Sequence, residues 1–143
     1  MTSSIEEIIT RFRANGGEVG GPFAGKHILL LHTVGRRSGQ PLVNPLLYLT
    51  EGEALVVAGA NGGAEHDPQW VADLVAAGRA TVELPDRQVV VRPYVLRGGD
   101  EYDRLYARLL EYWSDLRAYS ARAPRTIPII KLERLAPAGC RVA

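Results

Sequence analysis

This sequence is poor in most of the features that mark a specialised protein. Its 143 residues contain a single cysteine, Cys140. That excludes a disulfide scaffold and a cysteine-based metal cluster, both of which need several thiols at set spacing. No sign of charge dominates, since 17 Lys and Arg against 16 Asp and Glu leave a formal net charge of +1. A dedicated nucleic-acid binder carries a strongly basic face, so no nucleic-acid partner is expected. Long hydrophobic runs are missing too. The densest, Ile28 to Leu31 and Leu46 to Leu49, fall far short of the ~20 residues of a membrane helix. Glu6 and Glu7 stand where a signal peptide would carry basic residues. A soluble, cytoplasmic protein is the expectation. Lysine is also scarce, with only Lys26 and Lys131 among the basic residues and arginine at the rest. Arginine suits bidentate recognition of phosphate and carboxylate, although GC-rich coding produces the same bias.

With 46% apolar and 23% charged residues, a chain of this length has enough material for the core of about one domain. Ser3 to Asn15 reads as a helix capped by Ser3 or Ser4, with Ile5, Ile8, Ile9 and Phe12 on one face. Gly16 and Gly17 end it, and Gly20-Gly21-Pro22 forms a loop. His27 to Val34 is a short apolar run that suits a buried strand. A second strand spans Leu42 to Thr50, interrupted at Asn44-Pro45, and a third spans Ala54 to Ala58. Because proline cannot donate to a ladder, Pro45 points to a sheet edge or a bulge. The three strands are expected to form an antiparallel meander.

Asp67-Pro68 reads as an N-cap followed by proline at the first helical position. Trp70, Val71, Leu74 and Val75 then make an apolar face that Gly78 closes. Strands follow at Ala80 to Leu84 and Gln88 to Leu96. Two helical pieces come next, the first with Tyr102, Leu105, Tyr106, Leu109, Leu110 and Trp113 as its stripe, the second with Leu116 and Tyr119. Thr126 to Leu135 is the last strand. The sum is a mainly β, α+β fold with about six antiparallel strands in a small barrel and flanking helices. One domain over residues 1–143 is expected, with the N-terminal helix in 1–16 and the barrel in 26–135.

Two glycine-rich segments could carry chemistry. Gly35-Arg36-Arg37-Ser38-Gly39 places two guanidinium groups, a hydroxyl and open backbone at one turn, which is either an anion cradle or an ordinary hairpin tip. Gly59-Ala60-Asn61-Gly62-Gly63 follows a strand and precedes a helix start. It could let a backbone approach a ligand closely or serve as a plain connector. The histidines His27, His32 and His66 do not group at metal-ligand spacing, so no metal site is expected. Tyr102, Tyr106, Tyr112, Trp113 and Tyr119 are core residues by default, yet such rings also line pockets for flat ligands. On residues alone, the chemistry stays open.

A resemblance closes part of that gap. Thr33-Val34-Gly35-Arg36-Arg37-Ser38-Gly39-Gln40-Pro41 and Val43-Asn44-Pro45-Leu46 resemble the deazaflavin (coenzyme F-420)-dependent nitroreductase and quinone reductase family. Gly62-Gly63-Ala64-Glu65, Asp67-Pro68-x-Trp70 and Arg125-Thr126-Ile127-Pro128-Ile129 match it in the same order, so the likeness runs from His27 to Leu132. The resemblance implies a split β-barrel, similar to flavin reductases. It also implies an enzyme that uses reduced coenzyme F-420 to deliver hydride to a quinone, a nitroaromatic or another electron-poor small molecule. By the same resemblance Arg36, Arg37, Ser38 and Gly39 hold the cofactor tail. Asn44, Pro45, Leu46, Ala58, Gly59, Ala60, Asn61, Gly62, Gly63 and Trp70 then lie about its ring. Trp113 and Tyr119 become the catalytic pair that holds the acceptor, and Tyr119 orients it or helps to protonate the product. Leu42, Ala60-Asn61, Trp113 and Leu116 depart from the family pattern, whereas Tyr119 keeps it. The alternative is a non-catalytic member of the same fold that carries flavin mononucleotide or a hydrophobic ligand. The amphipathic N-terminal helix fits packing on the barrel, a cover over the pocket, peripheral membrane contact, or a homodimer interface.

Overall fold

A computed structural model of the chain describes residues 5–20, 23 and 25–135. The expected caps Ser3 and Ser4, the loop residues Gly21 and Pro22, and Cys140 lie outside the described residues. Helix α1 (Ile5–Ala14) has Glu6 and Glu7 in its first turn and Arg11 and Arg13 in its last, the arrangement the helix dipole favours. Its Phe12 is buried against Ile28, Leu30 and Leu47, with Ile8 and Ile9 packed alongside. The helix therefore lies on the barrel wall.

Seven strands follow: β1 (Ile28–Val34), β2 (Pro41–Leu47), β3 (Leu49–Glu51), β4 (Ala54–Ala58), β5 (Ala80–Glu83), β6 (Gln88–Leu96) and β7 (Ile129–Arg134). Helix α2 (Gln69–Ala77) joins β4 to β5, and α3 (Asp100–Tyr112) with α4 (Asp115–Arg122) joins β6 to β7. All strand pairs are antiparallel, in the order β2-β1-β5-β6-β7-β4-β3.

The count is seven rather than six because Leu42 to Thr50 is two strands parted at Tyr48. Asn44-Pro45 does not interrupt the ladder. Leu30 pairs with Pro45, and Tyr48 N–H donates to the His27 carbonyl at 3.2 Å. The alternation of an antiparallel pair then turns positions 41, 43, 45 and 47 outward, so neither Pro41 nor Pro45 owes β1 a hydrogen bond. The expectation that Pro45 marks a sheet edge holds, since β2 is an outermost strand.

The expected meander does not form. Strands β1 and β2 pair, and β3 and β4 pair, but β2 and β3 sit on opposite edges of the sheet. Only Tyr48 lies between them. One extended residue spans about 3.5 Å, so both edges must meet at this corner. The sheet rolls up there into a split barrel.

Alternation sorts the core into two layers. Leu29, Leu31, Leu55, Val57, Val82, Val91, Ile130 and Leu132 face inward and meet Trp70, Val71 and Leu74 of α2. On the other side of β4 and β7, Val56 and Ile129 meet Leu105, Leu109 and Leu116 of the α3–α4 pair. The first half of β1, Ile28 to Leu31, is apolar on both faces because α1 covers its outer face.

Three local expectations need correction. Val75 is exposed rather than part of the α2 face, and the buried position there is Asp73. Pro68, not Asp67, occupies the α2 cap and makes no side-chain cap bond, because the Asp67 carboxylate is bound by Arg125 and Arg97. The last strand begins at Ile129, since Pro128 lacks an N–H and spends its carbonyl on Gly59 N–H at 2.9 Å.

Candidate functional site

A cavity of about 340 Å³ opens where the sheet closes on itself. Strand β2 supplies one wall through Asn44, Pro45, Leu46 and Leu47. The segment after β4 and the start of α2 supply a second, with Ala58, Ala60, Asn61, Pro68 and Trp70. The α3–α4 corner supplies the third, with Trp113, Asp115 and Tyr119, and Phe23 completes the lining.

The helical wall is held by its own buried contacts. Leu116, at a position where the family pattern differs, is fully buried beside Leu105 and Leu109 and anchors α4 in the core. The Tyr106 and Ser120 hydroxyls bond to each other across α3 and α4, and Tyr102 donates to the Ile127 carbonyl at 2.7 Å. Trp113 and Tyr119 consequently meet edge to face, with ring centroids 5.5 Å apart and planes at 66°. Arg122 lies over the Tyr119 ring, 5.8 Å from its centroid. The Tyr119 hydroxyl has no hydrogen-bond partner among the described residues.

The loop wall depends on Arg125. Its guanidinium binds the Asp67 carboxylate at 2.7 Å and donates to the carbonyls of Gly59, Ala60 and Ala64 at 3.3, 3.0 and 3.1 Å. These contacts draw the loop's polar backbone away from the cavity. Asn61 adopts φ +48°, a left-handed conformation that asparagine tolerates, and its amide donates to the His66 carbonyl at 3.1 Å.

The turn after β1 lies outside the cavity. Gly35 and Gly39 close it through Gly39 N–H to the Gly35 carbonyl at 2.8 Å, and Ser38 Oγ accepts from Gln40 N–H at 3.1 Å. Arg36 reaches α2. Its backbone N–H and its guanidinium both donate to Asp73 Oδ1, at 3.1 and 2.9 Å, and Gln69 donates to Oδ2 at 3.2 Å. Burial alone would push the Asp73 carboxyl up. The backbone and side-chain donors of Arg36, with Gln69, outweigh it and hold the carboxyl below the usual carboxylate range. Arg37 is exposed and has no partner among the described residues.

Of the sixteen positions put forward from the sequence, the cavity brings together Asn44, Pro45, Leu46, Ala58, Ala60, Asn61, Trp70, Trp113 and Tyr119. Arg36, Arg37, Ser38 and Gly39 stand apart at the turn, linked to the cavity through α2, where Asp73 follows Trp70 by one helical turn. Gly59 and Gly63 do not line the cavity. A Cβ on Gly59 would come within 3.0 Å of Pro128 and Val71, and one on Gly63 within 2.8 Å of the Tyr119 carbonyl. These two glycines serve close packing.

Sequence reasoning missed Phe23, Leu47, Pro68 and Asp115 as lining residues, and Asp73 and Arg125 as fasteners. Asp73 left a signal, an acid set between Val71 and Leu74 on an apolar helix face. Arg125 stood inside a matched motif without a visible role. Asp115 drew no notice in the sequence, and the structure places it in the first turn of α4.

The arrangement suits a ligand with a flat, uncharged body and an anionic tail. The described cavity walls carry apolar faces, two amides and the Asp115 carboxylate but no cationic side chain, while the turn after β1 offers an exposed guanidinium. The volume lies within the ~300–1,000 Å³ of typical small-molecule sites.

The chain is similar to known proteins in sequence and in fold. A family model described as F-420H(2)-dependent quinone reductase matches residues 5–134. A Mycobacterium tuberculosis protein named as an F-420H(2)-dependent quinone reductase is 29% identical over 133 residues, covering 86% of this chain and 85% of its own. Another protein of that organism carrying the same description is 35% identical over 105 residues, covering 73% and 87%. A solved F-420-H(2) dependent reductase superposes with a TM-score of 0.67 at 23% identity, covering 74% of this chain and 93% of its own.

Proposed function

The chain belongs to the F-420H(2)-dependent quinone reductase family, and from that premise we propose that it reduces a quinone at the cavity between β2 and the α3–α4 corner. It is an F-420-dependent reductase, and coenzyme F-420 is its cofactor. When bound, the reduced deazaflavin supplies the hydride. The chain's own residues supply position, shielding and a proton.

The observation that carries this reading is the separation of charge along α2. Trp70 stands at a cavity with no cationic side chain among its described lining residues, and Asp73, one turn on, holds the arginine-bearing turn in place. A planar ring fits against Pro45, Leu46, Ala58 and Ala60, with the amides of Asn44 and Asn61 available to its polar edge. Arg37, assisted by Arg36, takes an anionic tail. Trp113 and Tyr119 hold the acceptor at the third wall, and the uncommitted Tyr119 hydroxyl donates a hydrogen bond to its carbonyl oxygen. Phe23 and Leu47 keep water from the reacting faces. A nitroaromatic or another electron-poor small molecule fits the same requirements as a quinone, and solvent is a second source of the product proton.

Titrating the purified protein with oxidised F-420, while following Trp70 and Trp113 fluorescence, tests the cofactor assignment. Saturable micromolar quenching by F-420, with none by flavin mononucleotide, is expected. Preference for flavin mononucleotide, or no response to F-420, overturns it. Turnover of naphthoquinone against a nitrobenzene derivative, with reduced F-420 supplied, then ranks the acceptors.

A further inference from the structure

Asp115 has no part in the reading above. It opens α4, where a carboxylate suits the helix dipole. It also lines the cavity, on the same wall as the two aromatic residues assigned to the acceptor, Trp113 and Tyr119. Among the described lining residues it is the only one that carries a formal charge. No ion pair or hydrogen bond among the described residues engages its carboxylate. Arg122 lies over the Tyr119 ring and Arg125 binds Asp67 and three carbonyls, so neither guanidinium is bonded to the Asp115 carboxylate. The acceptor's wall thus presents one carboxylate with no bonded counter-ion among the described residues.

We propose that Asp115 sets the charge class of the hydride acceptor: neutral carbonyl compounds are admitted beside Trp113 and Tyr119, and compounds bearing a fixed negative charge are disfavoured. This rests on the acceptor site proposed above. The physical cause is repulsion between like charges at a partly enclosed, still hydrated rim. Two unit charges ~6 Å apart there change an affinity by about three- to tenfold, a contribution that salt screens. The selection acts by rejection, because no contact in the cavity rewards a neutral ring over a sulfonated one of the same shape.

The test compares naphthoquinone with naphthoquinone sulfonate on the full chain. Binding is read by quenching of Trp113 and Trp70 fluorescence in the protein without cofactor, and kcat/KM is read separately with reduced F-420. The wild type is expected to favour the neutral quinone, and Asp115→Asn is expected to narrow the ratio of the two dissociation constants by about three- to tenfold. Asp115→Glu should keep the wild-type ratio. Raising the salt should narrow the ratio in the wild type and leave it unmoved in Asp115→Asn. A helix-dipole role alone would lower stability in Asp115→Asn without touching the ratio. An unchanged ratio, with both quinones binding, overturns the charge selection and leaves the acceptor site standing. Failure of both quinones to quench in wild type and variants overturns the acceptor site and this proposal with it.

Discussion

The turn at 35–39 and the loop at 59–63 look alike as sequence, each glycine-rich and each following a strand. In the structure they are fastened in opposite senses. At the turn, a buried carboxylate, Asp73, takes one arginine of a pair and leaves Arg37 exposed. At the loop, an arginine from outside, Arg125, gathers three carbonyls and Asp67 to itself, and Ala60 and Asn61 remain to line the cavity. Glycine content reports that the backbone bends. The charged side chain that holds the bend determines what surface remains for binding.

Removing the loop's fastener should give the largest effect. Arg125→Ala leaves Asp67 with only Arg97 and frees three carbonyls in a half-buried setting. A loss of about 3 kcal/mol is expected, read as a lower midpoint in urea. Quenching by F-420 should weaken in parallel, because Ala60 and Asn61 lose their support. If stability drops while F-420 affinity is unchanged, the loop does not shape the ring site.

The turn's fastener should rank second. Arg36→Ala leaves Asp73, 0% exposed, with the backbone N–H at position 36 and with Gln69. About 2 kcal/mol is expected, less than for a fully buried pair because the Arg36 side chain is 35% exposed. The same pair makes a statement about acid. Asp73 has a folded-state value below its unfolded one, so its stabilisation is complete above the unfolded value near ~3.9 and is lost as pH falls through the depressed value. Urea midpoints measured down to pH ~3 should therefore fall more steeply in the wild type than in Asp73→Asn. Parallel curves would show that the pair contributes nothing to acid stability.

Much of this fold was legible because its signals were local. Strand β6 and the stripe of α3 follow from the period of apolar residues alone. The strand order was not legible, since it turns on one residue, Tyr48, that carries the chain from one sheet edge to the other. No local pattern distinguishes that corner from a continuous strand. The site divides in the same way. Residues whose side chains face the cavity, such as Asn44 and Trp70, lay inside matched motifs, but so did Gly59 and Gly63, which are there for packing. Only the positions of Pro128, Val71 and the Tyr119 backbone separate the two roles. Asp73 and Arg125 escaped because each acts at long range, on a partner 37 to 66 residues away.

The smallest effect on stability, and the sharpest on function, should come from Arg37. It is exposed and makes no contact among the described residues, so Arg37→Ala should change stability by no more than about 0.5 kcal/mol. If the turn holds an anionic tail, the same variant should bind F-420 more weakly, and salt should weaken its binding less than it weakens the wild type's. Arg36→Ala should also bind less well, but its loss should come with lowered stability, and Asp73→Asn should reproduce part of it by loosening the turn. Two variants one residue apart then separate a group that shapes the site from a group that meets the ligand. Equal losses of stability in both would mean that the turn is a structural tip and that the tail lies elsewhere.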